Sequence, residues 1–172
     1  MSKDSTQRTG KIMLYIFWIL GLGLLAQFFG VWEQKQYNPN MNPDTAHNES
    51  KIHVELLRNR MGHYVANGLI NSKAATFMLD TGATDVVIPS QLASSFGLVS
   101  KGEKQSITAN GIVTVGHATI DTLSIGGITL YNIAASINPG MDKTQAILLG
   151  MSALKRLELS QVGETLTLTQ AQ

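Results

Sequence analysis

The sequence predicts a mainly β domain with one or two short helices, built as a small closed barrel or sandwich and preceded by one transmembrane helix. Three observations predict it. An apolar run without charge extends from Ile12 to Trp32. A polar stretch rich in Asn and Pro follows it. From about Lys51 onward, short β-rich segments recur between turn residues at roughly 8–12-residue spacing, the rhythm of a small all-β domain.

Composition narrows the function classes. The chain has 172 residues, enough for one domain with appendages. Lys and Arg total 13 against 12 Asp and Glu, so the net charge is +1 and no basic excess points to nucleic acid. Hydrophobic residues make up 44% and charged ones 15%, which excludes wholesale disorder. With no cysteine there is no disulfide scaffold, thiolate metal site or Cys nucleophile.

Residues 1–11 hold Lys3, Arg8 and Lys11 against Asp4, a basic tail. The run 12–32 contains 21 residues and no charge. At 1.5 Å per residue that length crosses a hydrocarbon core of roughly 30 Å. Trp32 suits an interfacial position, and interior glycines such as Gly21 and Gly23 are tolerated in a membrane helix. A cleaved signal peptide and a buried soluble helix compete with this reading. The run exceeds an ordinary signal core, lacks a following A-x-A-like site, and has no polar face. Basic residues before the span favour a cytoplasmic N-terminus. The expectation is a single-pass inner-membrane protein with its following domain extracytoplasmic, in the periplasm of a bacterium. Residues 33–50, EQKQYNPNMNPDTAHNES, read as a flexible, solvated spacer.

The domain is expected over 51–172. Ile52, Val54 and Leu56 alternate with His53 and Glu55, the period of a half-buried strand. RNRMG reads as a turn, then HYVANGLI and ATFML as two strands joined at Asn71-Ser72. Pro89-Ser90 suits a short helix ending near Gly97. QSITA and IVTVGHATI flank Asn110-Gly111, a strong hairpin signal. DTLSI and ITLYNIAASI flank Gly126-Gly127 as a second hairpin. ILLGMSALKRL reads as an apolar strand entering a helix, and TLTLT as a last strand.

The chemistry centres on Asp80. In FMLDTGATDVVIP an aspartate closes an apolar strand, where an isolated carboxylate is costly unless neighbours compensate. Gly82 lets its N–H approach closely, and the Thr81 hydroxyl can join a hydrogen-bond network. An ordinary Asp-Gly turn is the competing reading of the triplet.

The surroundings of the triplet resemble the retropepsin-like aspartic proteases, in particular single-domain, membrane-anchored bacterial ones. The matching features are Asp80-Thr81-Gly82-Ala83 after two apolar residues, then IPSQLASSFGL. ITANG stands where the family has its flap hairpin, Ile147-Leu148-Leu149-Gly150-Met151-Ser152 matches its second signature, and ETLTL its last strand. The resemblance spans about residues 70–172. It implies a retropepsin-like closed barrel, half of a pepsin, acting as an aspartic endopeptidase on a peptide or protein substrate without cofactor or metal. Two carboxylates at close range cannot both ionise, so the pair holds one proton. The charged member takes a proton from water and the protonated one polarises the scissile carbonyl.

This chain has a single D-T-G; Asp4, Asp44, Asp85, Asp121 and Asp142 stand in no such triplet. The second carboxylate is therefore expected from a second copy, in a homodimer with the site on its two-fold axis. By resemblance, Thr81 braces the dyad, Gly82 meets the substrate backbone and Ala83 lines a subsite. Thr108, Ala109, Asn110 and Gly111 form the flap tip. Gly150, after Leu149, lets its strand lie against the Asp80 loop. Retroviral members place Arg after the second-signature Gly and pair it with an acid following D-T-G-A. Here Met151 stands there, leaving Asp85 free or capping the short helix. The four histidines have no ligand-like spacing, no G-x-S-x-G occurs, and Lys101 to Lys104 reads as a solvated loop. A non-catalytic dimeric peptide-binding or assembly module of the same fold is the rival function. A membrane-anchored assembly factor of another fold is a third.

Overall fold

The computed structural model describes residues 3–48, 50–108, 111–141 and 146–171. It separates into two units, Met1–Gln36 and Tyr37–Gln172, each described by itself. The first is almost wholly the helix α1, Lys3–Tyr37. Its large apolar side chains, from Ile12 to Trp32, are exposed all round, and Arg8–Tyr37 is long and apolar enough to cross a membrane.

The second unit carries eleven strands among the described residues: β1 Asp44–Asn48, β2 Lys51–Leu57, β3 Val65–Ile70, β4 Lys73–Leu79, β5 Val86–Pro89, β6 Glu103–Thr108, β7 Gly111–Ile125, β8 Ile128–Asn138, β9 Ile147–Leu149, β10 Glu158–Val162 and β11 Thr165–Ala171. Two short helices, α2 Ser90–Ala93 and α3 Met151–Leu154, join them. The main sheet runs β3-β4-β9-β5-β8-β7-β6. Pairing of Leu69 and Ile70 on β3 with Ser124 and Leu123 on β7 closes it into a barrel, leaving β6 outside the ring as an edge strand. The smaller sheet runs β1-β2-β11-β10.

Local chemistry explains the elements. Ile52, Val54 and Leu56 are buried along β2, as their alternation dictates. The β3–β4 hairpin turns at Asn71 (φ 48°) and Ser72 (φ 67°), both left-handed as a type I′ turn demands. Gly97 (φ 71°) ends the helical stretch that α2 begins. Gly126 (φ 54°) turns β7 into β8, and Gly163 (φ 61°) turns β10 into β11.

Phe77, Ile88, Ile120, Ile133, Ile147 and Leu149 fill the barrel, and Leu56 and Leu168 from the smaller sheet belong to the same cluster. Each such side chain contributes about 1.5–3 kcal/mol on burial. The strand β9 lies between β4, to which it runs parallel, and β5, to which it runs antiparallel. Nothing local in three apolar residues specifies this insertion.

Two features depart from the sequence expectation. Residues 111–125 form one strand rather than two, because β8 offers partners along almost all of it. The segment read as a solvated spacer is largely structured: α1 continues to Tyr37, Asn38 and Asn40 are buried, and Asp44–Asn48 pairs with β2. Asparagine side chains supply the reason, since their amides can replace backbone partners. The Asn40 amide donates to Leu57 O (2.9 Å) and Val65 O (2.7 Å) and accepts from Leu57 N–H (2.6 Å). Asn59 donates to Tyr37 O (2.9 Å), and Asn38 donates to Asn67 Oδ1 (2.8 Å).

Candidate active site

Asp80 is the first residue after β4. Its N–H donates to Leu149 O (3.1 Å), and its carbonyl accepts from Ala83 N–H (3.2 Å), turning the chain at once. The Gly82 N–H donates to Asp80 Oδ1 (2.9 Å). A methyl group on Gly82 would lie 3.1 Å from that same oxygen, a tight contact to which the carboxylate would have to give way. Asp80 is half-buried, while Thr81 and Gly82 face solvent.

The loop is held from below by the segment that follows β9. Met151 N–H donates to Ala83 O and Ser152 N–H to Thr84 O, each at 2.8 Å. These are the first amides of α3, which the helix itself leaves unpaired. Gly150 makes the approach possible. A β-carbon there would stand 2.0 Å from Asp85 O and 2.7 Å from Ala83 O, distances no side chain can occupy. The buried Ser152 hydroxyl donates to Ala134 O (2.8 Å) and accepts from Val86 N–H (3.1 Å), tying α3, β5 and β8 together.

Asp80, Thr81, Gly82, Ala83, Leu149 and Gly150 thus come together from two distant segments. Thr108 and Gly111 pair at the turn end of the β6–β7 hairpin, with Gly111 at φ 108°. Ala109 and Asn110 lie outside the described residues. Beside this end, Ile107 and Ile112 stand opposite each other and are largely exposed, 87% and 67%.

Asp85 is neither free nor a helix cap. It accepts from Ser136 Oγ (2.9 Å) on β8 and pairs with Lys104 Nζ on β6, while α2 has no side-chain cap. Burial pushes the Asp85 carboxyl up. Hydrogen bonds from Lys104 and Ser136, with the positive charges of Lys104 and His117, outweigh that and hold it below the usual carboxylate value. Lys104 therefore does not belong to a purely solvated loop. Sequence reasoning named Ser152 only within the second signature, without a role of its own, and passed over Ser136. A hydroxyl beside the apolar strand ILLG was the available signal for Ser152; nothing in the sequence marked Ser136.

The profile of the gag-polyprotein putative aspartyl protease family matches residues 66–156. A solved retropepsin-like aspartic protease from Rickettsia conorii is 27% identical, covering 76% of this chain and 96% of its own, with a TM-score of 0.60. Among curated proteins, an uncharacterized protein of a Sinorhizobium species is 30% identical over 117 residues, 66% of this chain and 50% of its own length. An uncharacterized protein of Rickettsia prowazekii (strain Madrid E) is 29% identical over 108 residues, 61% of this chain and 46% of its own. The chain spans about half the length of these two curated relatives.

Proposed function

The chain belongs to the retropepsin-like aspartic protease family, and from that premise we propose that it is a membrane-anchored, homodimeric aspartic endopeptidase. Asp80 is its catalytic residue, paired with Asp80 of a second copy. The observation that carries this reading is the Asp80 loop: a half-exposed carboxylate, fixed at one oxygen by an amide and seated on backbone contacts that Gly150 alone permits. Such fixed geometry is what catalysis needs from a positioned acid or base.

In the proposed reaction the two carboxylates share one proton. The ionised one removes a proton from a water molecule as its oxygen attacks the scissile carbonyl. The protonated one gives its proton to the carbonyl oxygen. As the tetrahedral intermediate collapses, the C–N bond breaks and the amine leaves with a proton returned by the pair. Neither side chain forms a bond to substrate carbon. Thr81 steadies the pair, Gly82 and Ala83 face the substrate, and Thr108, Ala109, Asn110 and Gly111 close over it. Leu149 and Gly150 support the loop from beneath.

Two further observations support a second copy and a bound peptide. One D-T-G triplet supplies one carboxylate, and two-fold symmetry supplies the other. Ile107 and Ile112 expose apolar surface that a peptide would cover. An extended peptide added as a strand would use main-chain hydrogen bonds, with alternate side chains in pockets. The α1 helix serves as the anchor. Lys3, Arg8 and Lys11 before its apolar run support a cytoplasmic N-terminus with the protease domain on the other side. Sharing a membrane raises the effective concentration for pairing.

The test is cleavage of an unfolded-protein or peptide library by the full chain in lipid nanodiscs. Asp80→Asn is expected to abolish cleavage while leaving dimerisation intact. Cleavage that survives this substitution, or a wild-type chain that cuts nothing as a pure dimer, would overturn the reading. The second result would favour a peptide-binding or assembly module.

A further inference from the structure

Asp85 stands between the Asp80 loop and β5, and the proposed chemistry makes no use of it. Its side chain is 12% exposed, yet it is served from two other strands: Ser136 on β8 and Lys104 on β6. The strand β6 is otherwise weakly held. It is an edge strand hydrogen-bonded along β7, and of its side chains Glu103, Lys104, Gln105 and Ile107 are exposed. A strand with one neighbour and little buried apolar surface opens easily. The ion pair joins this strand to the segment that carries Asp80, five residues upstream of Asp85. At its base the hairpin is fixed by backbone bonds, Lys101 N–H to His117 O and His117 N–H to Gly102 O, both 2.7 Å. Lys104 is two residues beyond Gly102, so the pair extends that hold toward Thr108 and Gly111.

We propose that Asp85 and Lys104 form a latch that positions the β6–β7 hairpin over the Asp80 loop, so that peptide capture depends on the pair while the bond-breaking step does not. This rests on the endopeptidase reading above. Both are positioning residues. Ser136 orients the Asp85 carboxylate toward β6 and keeps it hydrogen-bonded when the lysine leaves. The latch also explains how the chain manages without an Arg at Met151: the cation for this acid comes from the hairpin and not from α3.

A pair between a half-exposed lysine and a mostly covered carboxylate shifts an equilibrium by a factor of roughly three to ten. The experiment uses the full chain in lipid nanodiscs with Lys104→Gln, Asp85→Asn and the double variant. Asp85→Asn leaves no unpaired buried charge, so it remains informative if Lys104→Gln folds poorly. Amide hydrogen exchange over residues 103–116 and steady-state cleavage of an extended fluorogenic peptide are read together. Each single variant should exchange the hairpin amides about three- to tenfold faster and raise KM by a similar factor, with kcat changed less than about twofold. The double variant should be no worse than either single one, because both remove the same interaction. Hairpin exchange at the wild-type rate in both single variants would overturn the latch, as would a fall in kcat with KM unchanged. A wild-type chain that cleaves nothing would reject the endopeptidase reading, and the exchange rates would still decide the latch.

Discussion

Replacing Asn40 by Ala should destabilise the β domain by about 3 kcal/mol, although Asn40 lies in a polar stretch far from Asp80 in sequence. The side chain is 5% exposed. It makes three hydrogen bonds to the backbone, two to Leu57 and one to Val65, and so bridges the end of β2 to the start of β3. Removing it strands one N–H and two carbonyl oxygens. At about 1 kcal/mol for each lost bond the sum is about 3, and partial entry of water sets a lower limit near 2. In a unit of this size 1 kcal/mol corresponds to about 3–5 °C, so the Tm should fall by about 10 °C. Scanning calorimetry of the full chain in detergent reads the β domain's transition. Asn42→Ala provides the internal control: the same chemical change two residues away, at an exposed side chain, should move stability by less than about 0.5 kcal/mol. Equal melting temperatures for the two variants would refute the view that asparagine amides bind this segment to the domain.

Gly150→Ala should cost about 3–5 kcal/mol, because the new methyl group meets the backbone oxygens of Asp85 and Ala83, which no rotamer change can move aside. Where the variant folds, displacement of the Asp80 loop should lower peptide cleavage about a hundredfold, which a denaturant titration and a cleavage assay on the same sample would check. The Asp85 carboxyl lies below its ordinary value, so its contribution to stability is present above about pH 4 and is lost as pH falls through the lowered folded value. The Tm difference between wild type and Asp85→Asn should therefore be largest near neutral pH and shrink on acidification below pH 4. A difference that grows with acidity would contradict the sign of the shift. Asp80→Asn and Lys104→Gln complete the set, the first separating chemistry from assembly and the second separating peptide capture from chemistry.

Local patterns carried a good part of this protein. The long uncharged run 12–32 reads as a helix long and apolar enough to cross a membrane, and α1 covers it. Alternation in Ile52, Val54 and Leu56 chose their buried face, and Asn71-Ser72 and Gly126-Gly127 chose turns, because these depend on each residue's own φ and ψ. Asp80-Thr81-Gly82-Ala83 read as a tight loop after an apolar strand for the same reason. Partner choice was not legible. A period of two shows which face of a strand is buried but not which strand lies beside it, so the insertion of β9 between β4 and β5 and the closure of β3 on β7 emerge only in three dimensions. Polar side chains hide their roles most completely. Asn38 and Asn40 look like spacer residues, and Lys104 like a solvated charge, until folding brings Leu57, Val65, Asn67 and Asp85 within reach. An amide or an ammonium group offers the same donors to water as to a backbone carbonyl or a carboxylate, and only the folded chain decides which of them is there to accept.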